Sequence, residues 1–453
     1  MKVINPATGE VARAYEPAAW SEVDLRVGAL VEGFERWRRT SIEDRARVVA
    51  AAAPVLRHRA DELARMMARE MGKPITQGLQ EVEKCAWLCE HHAAEGPAML
   101  APRPIATDAA KSFVSFQPLG VVLAVMPWNF PLWQVFRAWV PALLAGNTML
   151  LKHASNVPSS ALAIEEMLAE AGAPADVFAS ALAESDLVPR IIAHPGIAAV
   201  TLTGSVEAGR AVARVAGENL KKTVLELGGS DAYVVLADAD VDAAAEICAA
   251  SRLINSGQSC IAAKRFVVDV SISAHFEAAM CARMRAAVMG DPMQKETEVG
   301  PLAREDLRDE LHKQVEDSVA RGAVRLLGGE VPRQAGAWYP PTVLGRVGPG
   351  MPAYEEELFG PVAAIIPARG EAEAIRIAND SRFGLGAAVF TADRERGAAI
   401  AEKELAAGSC FVNSLVKSDP RLPFGGIRES GYGRELGEFG IREFVNIKTV
   451  WVD

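Results

Sequence analysis

Cysteine is scarce in this chain. There are six in 453 residues, at Cys85, Cys89, Cys248, Cys260, Cys281 and Cys410. No two stand as a Cys-x-x-Cys pair, which excludes the dense disulfide framework of a small secreted domain. Histidine is equally sparse, with seven residues and no zinc-type spacing to cysteine or glutamate, so no metal site is expected. The one adjacent pair, His91-His92, reads as a solvated helix face. The opening residues MKVINPATGE contain no apolar leader segment. The longest apolar run, near 120–126, is too short for a bilayer and stops at Pro127. A reducing cytoplasm is the expected setting. Positive charge is not in excess either: 58 acidic against 48 basic residues give a net charge of −10. That balance argues against duplex nucleic acid or an anionic membrane surface as a partner. A P-loop signature and a serine nucleophile elbow are both missing, which argues against a P-loop nucleotidase and a serine hydrolase.

What is present is an ordinary globular composition, 50% hydrophobic and 23% charged. The length predicts two or three domains at roughly 100–200 residues each. The first hundred residues read as helices. Ser41-x-x-Asp44 is a capping pattern, Gly72-Lys73-Pro74 stops a helical run, and another helix is expected over about 76–94. Beyond Pro102 the pattern changes to short apolar runs alternating with helical segments. Strands are expected at 112–117, 121–125, 148–151, 198–202, 223–227, 232–236, 265–270, 362–366 and 386–390. Helices are expected near 159–171, up to Ala216, from Asp240, and over 371–379. Strands alternating with helices imply parallel βαβ units. The end, 443–452, alternates as a strand does. No internal repeat or low-complexity segment is visible.

Four local features carry chemical promise. Cys260 ends Asn255-Ser256-Gly257-Gln258-Ser259-Cys260, a turn-forming stretch before a strand, where a thiol can be exposed and reactive. Nothing local raises the other five cysteines above buried or idle thiols. Glu226 closes an apolar strand, where an unpartnered carboxylate is costly and its pKa can rise into general-base range. Asn129 lies between two prolines in Pro127-Trp128-Asn129-Phe130-Pro131, so its amide is rigidly aimed, as an oxyanion donor must be. Thr203-Gly204-Ser205 opens a helix after a strand, with Gly209 a turn later. Helix-start amides there can hold a phosphate, although the spacing is not that of a dinucleotide fingerprint. For each, a bland alternative stands: an idle thiol, a salt-bridged strand end, a turn asparagine, a strand–helix corner.

In this order the pieces resemble the aldehyde dehydrogenase superfamily. PWNFP stands at 127–131, Lys152 follows a strand, TGS is at 203–205, ELGG at 226–229 and GQSC at 257–260. EEELFGPV follows at 355–362, NDSRFGLGAAVF at 379–390 and PFGGIRESGYGRELG at 423–437. Glu226 and Cys260 are 34 residues apart, as in the family. The likeness runs from NPATGE at 5–10 to the last strand. It implies an α/β fold: a Rossmann-like cofactor domain over 1–97 and 119–229, an α/β catalytic domain over 230–425, and a β oligomerisation element from 98–118 and 438–453.

The resemblance also implies roles. Cys260 would be the thiolate nucleophile, with the oxyanion held by the Asn129 amide and the Cys260 backbone N–H. Hydride would pass to the nicotinamide, and Glu226 would activate water against the resulting thioester. Lys152 and Glu357 would meet the adenine and nicotinamide riboses, and Gly204 and Ser205 the pyrophosphate. Trp128, Leu227 and Phe359 would pack near the cofactor. Relatives preferring NAD often carry Glu where Ser155 stands here. A serine can donate to a 2′-phosphate that a glutamate would repel, so NADP is the expected cofactor, with NAD possible.

Within the family, LKHASNVP at 151–158 and GIREFVNIKTVW at 440–451 resemble short bacterial succinate-semialdehyde dehydrogenases. That likeness places Arg137 against the distal carboxylate of the substrate, with Ser418 as a further contact. Many relatives carry a second arginine six residues before the nucleophile. Ile254 stands there instead, with Arg252 nearby. Ile261 replaces a cysteine found beside the nucleophile in some relatives, which removes a local disulfide partner. The expected substrate is therefore a carboxylate-bearing aldehyde, succinate semialdehyde first. Alternatives are glutarate semialdehyde, another aldehyde, or thioester release to coenzyme A. A non-catalytic scaffold would have no need of Cys260, Glu226 and Asn129 together. A homodimer or homotetramer through the last strand is implied by the family.

Overall fold

A computed structural model describes residues 1–453. Two parallel sheets organise it. The first has six strands in the order Gly431–Tyr432, Lys222–Glu226, Ile197–Thr203, Val121–Met126, Thr148–His153 and Phe178–Ser180. All but the two-residue edge strand run parallel. Val121–Met126 (VVLAVM) is apolar at every position because helices cover both sheet faces, leaving no solvent side to alternate toward. From that strand the chain winds to one side and then, at Ile197–Thr203, to the other. This reversal makes a crevice at the carboxyl ends of the strands, between the loops after Met126 and after Thr203.

The second sheet has seven strands, ordered Val324–Leu327, Thr342–Gly345, Val362–Ala368, Arg265–Asp269, Ala232–Val235, Gly386–Phe390 and Ser409–Val412. Only its first pair is antiparallel. A third, antiparallel sheet joins Arg103–Pro104, Lys111–Pro118 and Val445–Val452, the last two paired over eight positions. The outer edge of Val445–Val452 has no strand partner, and Ile447, Trp451 and Val452 on it are exposed. A two-stranded hairpin, Lys2–Ile4 with Val11–Ala14, completes the sheets.

The helical elements follow the local chemistry. Ser41 accepts from the Asp44 N–H, and Asp240 from the Ala243 N–H, each capping the helix that follows. Gly72, at φ +77°, ends the helix Ala60–Met71 in the left-handed conformation that spares glycine a Cβ clash. The next helix, Ile75–Met99, runs five residues beyond the expected end at 94, and Pro97 sits within its last turn. Its His91-His92 pair corrects the sequence reading. His92 is fully buried with no hydrogen-bond partner on its ring, and only His91 reaches partway to solvent. The helix is packed on both its neighbours, so one of two adjacent positions necessarily turns inward. Burial lowers the His92 imidazole to about 4, which keeps it neutral. Cys85, Cys89 and Cys248 are buried, and no cysteine is disulfide-bonded. No helix is long and apolar enough to cross a membrane.

Candidate active site

Cys260 stands where two cavities meet. The larger, about 340 Å³, opens along the crevice of the first sheet and is lined by Trp128, Asn129, Gly204, Ser205, Leu227, Glu357 and Phe359 among others. The smaller, about 180 Å³, lies on the other side of the thiol and includes Lys84, Arg137, Ile254, Ser418 and Phe424. Cys260 and Gln134 line both.

The loop before Cys260 is unusual. Asn255, Ser256 and Gly257 all have positive φ, at 51°, 56° and 78°. Two successive non-glycine residues there cost about 1–2 kcal/mol each. Specific bonds hold the shape. The Asn255 side-chain amide donates to the backbone oxygens of Asn129 at 2.7 Å and Gln258 at 3.0 Å. A side chain at Gly257 would lie 2.2 Å from the Gly360 carbonyl carbon, so only glycine fits. Lys264, wholly buried, donates to the carbonyls of Ser259 at 2.9 Å and Cys260 at 2.7 Å. Arg252 does not face the substrate cavity; it turns inward and donates to the Gly257 carbonyl.

Asn129 is clamped from both ends. Its side-chain N–H donates to the Gln258 carbonyl at 3.1 Å, and its side-chain oxygen accepts from Gln134 at 3.0 Å. The second amide hydrogen remains for an oxyanion beside Cys260. His153 pins the same loop. Its ring accepts from the Ala154 N–H and bonds the Pro131 carbonyl at 2.9 Å, so it is neutral; burial lowers it to about 4.

Burial pushes the Cys260 thiol up to about 12, while Arg137 and Lys264 pull the other way. At neutral pH the Cys260 side chain is thus a thiol rather than a thiolate. Glu226 is buried with neither carboxylate oxygen hydrogen-bonded. Burial first, then the neighbouring Glu435, raise its pKa well above the usual range, and Arg137 opposes this. A carboxylate so placed binds a proton more readily than one in water, which is what a general base requires.

The cofactor candidates fall at strand ends. Ser205 caps the helix Val206–Glu218, its hydroxyl accepting from the Ala208 N–H at 3.2 Å. A Cβ on Gly209 would strike Leu227, so the second glycine of that motif serves helix-to-strand packing. Glu357 accepts from the Gly229 N–H at 3.0 Å and pairs with Lys264 at 3.4 Å. A Cβ at Gly228 would lie 2.4 Å from its carboxylate. Trp128 and Phe359 meet edge to face at 5.8 Å. Lys152 and Ser155 do not line the cavity around Cys260; they lie at and just after the end of the adjacent strand Thr148–His153. The Lys152 ammonium, almost wholly buried, has one long contact, to Ser185 at 3.4 Å, and Ser155 is exposed. An under-bonded lysine, a free hydroxyl, a capped helix start and an aromatic pair fit a dinucleotide laid across the crevice.

Arg137 is buried and already paired. It meets Glu435, donates to the Thr203 hydroxyl at 3.3 Å, and lies 4.8 Å from the Phe424 ring centre. Sequence reasoning missed Gln134, Asn255, Lys264, Glu435 and Lys84. The lone signal for Lys264 was a charged pair, Lys264-Arg265, at the start of an apolar strand.

A thiol, a buried carboxyl and a clamped amide between a crevice and a cation-lined cavity define a class: the chain belongs to the aldehyde dehydrogenase family, whose model matches residues 1–450. Among individual relatives, the succinate semialdehyde dehydrogenase Sad of Escherichia coli K12, named for NAD(P)+, is 48% identical over 99% of this chain and 97% of its own length. Succinate-semialdehyde dehydrogenase 1 of Mycobacterium tuberculosis H37Rv, named for NADP(+), is 47% identical over 99% of each chain. The crystal structure of succinic semialdehyde dehydrogenase from Streptococcus pyogenes with NADP+ superimposes with a TM-score of 0.97 at 37% identity, covering 100% of this chain and 99% of that one.

Proposed function

We propose that the protein oxidises succinate semialdehyde to succinate with NADP. The observation that carries this reading is the position of Cys260 between a nucleotide-shaped crevice and a cavity walled by Arg137, Lys84 and Ser418. The full-length likeness to relatives named for this substrate and cofactor supports it. By likeness to the family, 1–97 and 119–229 would bind cofactor, 230–425 would be catalytic, and 98–118 with 438–453 would join subunits.

The aldehyde enters with its carbonyl at Cys260 and its distal carboxylate toward Arg137 and Ser418. The thiol gives up its proton to solvent, its sulfur attacks the carbonyl carbon, and Asn129 with the Cys260 N–H hold the developing oxyanion. Bound NADP supplies the hydride acceptor for oxidising that adduct. Trp128, Phe359, Ser205, Gly204, Leu227 and Glu357 would hold the cofactor in the crevice, with Lys152 and Ser155 as further contacts. Glu226 takes a proton from water, which cleaves the acyl–sulfur bond and frees Cys260.

The bare edge of Val445–Val452, with its exposed apolar residues, supports a homo-oligomer formed by sheet extension. Six unbonded cysteines suit a reducing cytoplasm. The test is NADPH formation from succinate semialdehyde, glutarate semialdehyde, butanal and benzaldehyde, each also with NAD, with and without coenzyme A. Preference for succinate semialdehyde and NADP, indifferent to coenzyme A, is expected. Preference for uncharged aldehydes would overturn the substrate, and dependence on coenzyme A would overturn hydrolysis.

A further inference from the structure

The cavity behind Cys260 is lined by a half-buried cation that no acid neutralises. Lys84 reaches it from the helix Ile75–Met99. Its ammonium donates to the Ser418 hydroxyl at 2.8 Å and sits 4.3 Å from the Trp133 ring centre. The two acids that influence it are engaged elsewhere. Glu81 accepts from the Leu132 and Trp133 backbone N–H groups, both at 2.9 Å, and pairs with buried Lys73. Asp419 is gripped by the Arg421 guanidinium at 2.8 and 2.7 Å. Arg137, across the cavity, has its charge matched by Glu435. Ile254 adds no charge to the wall.

The hydrogen-bond direction matters. Because Lys84 donates to the Ser418 oxygen, the serine keeps its own hydrogen for an acceptor, and the ammonium keeps two more. An ammonium and a hydroxyl side by side over an aromatic face, the ammonium half-buried, form a donor set for a carboxylate. We propose that Lys84, acting with Ser418, is the charge-bearing anchor for the distal carboxylate of the aldehyde and so sets the preference for carboxylated over uncharged substrates. This rests on the carboxylated-aldehyde reading above. Arg137 then contributes hydrogen bonds and Lys84 the net charge, while Lys417 on the same wall is exposed to solvent. Burial, then the nearby Arg137, lower the Lys84 ammonium to about 8, so it is mostly charged at neutral pH and gains from an arriving anion.

The test compares wild type with Lys84→Met and Lys84→Arg. Two quantities are read: the ratio of kcat/KM for succinate semialdehyde to that for butanal, and inhibition of butanal oxidation by succinate. Lys84→Met should lower the ratio by about tenfold or more and weaken succinate inhibition similarly, while Lys84→Arg restores much of both. If wild type prefers the carboxylated aldehyde and Lys84→Met keeps ratio and inhibition within about twofold, Lys84 is not the anchor, and the substrate reading stands. If wild type shows no such preference, both the reading and the anchor fall. NADP binding and thermal unfolding report whether each variant is folded. Should Lys84→Met not fold, Lys84→Gln, which keeps a donor for Ser418 but no charge, decides the same comparison.

Discussion

The two cavities that share Cys260 are built differently. The cofactor crevice is made of strand ends, a helix start and glycines whose missing side chains leave room. Trp128 and Asn129 follow one strand, Gly204 and Ser205 the next, Leu227 the one after. The smaller cavity is made of side chains from four distant segments, near Lys84, Arg137, Ile254 and Ser418. A crevice set by backbone geometry can serve any member with the same sheet. A cavity set by side-chain tips can change its substrate by one residue.

The largest effect should fall on the seam between them. Cys260→Ala should reduce turnover by about 10⁴-fold or more while NADP still quenches protein fluorescence and succinate still binds. Retained turnover would remove Cys260 from the chemistry. Glu226→Gln should follow, slowing acyl release by about 10²–10⁴-fold. A rapid first turnover of NADPH before the slow steady state would mark the block after oxidation; a normal steady state would clear Glu226 of the role. Ser155→Glu probes the crevice alone. It should cost on the order of tenfold in kcat/KM for NADP with the KM for aldehyde unmoved, and loss of aldehyde affinity instead would mean the two regions are not separable.

The smallest effect lies outside both. His92 is held neutral, with its imidazole lowered from 6.5 to about 4. The unfolded chain therefore binds a proton that the folded one refuses, and stability drains as pH falls from about 6.5 toward 4. Compared with His92→Leu, wild type should lose about 1–3 kcal/mol more across that window by urea unfolding. Parallel stability curves would show that His92 carries no such linkage.

The same division governs what could be read from sequence. Strands such as 121–126 and 386–390 announce themselves because burial on both faces forces uninterrupted apolar residues. The crevice residues sit in short motifs beside those strands, so their neighbourhood follows from the fold. Lys84 and Glu435 are single charged residues within a helix and a loop, and no local pattern separates them from solvent-facing neighbours such as Glu83 and Glu438. His92 failed for the same reason: adjacent histidines look polar, and only the packing of the helix decides which one goes inward. Arg137 was found by likeness, yet its pairing with Glu435 is a long-range contact that no spacing in the chain reveals.

The left-handed run at Asn255, Ser256 and Gly257 has a bearing on heat. That loop keeps its shape through Asn255, whose amide reaches the Asn129 carbonyl on a loop from the other sheet. The thiol is therefore aimed by an agreement between two halves of the molecule, each of which has its own core. A slight loosening between them releases the loop long before either core melts. Catalytic competence should be the first property lost on warming and the last regained on cooling, while the bulk secondary structure holds through its loss.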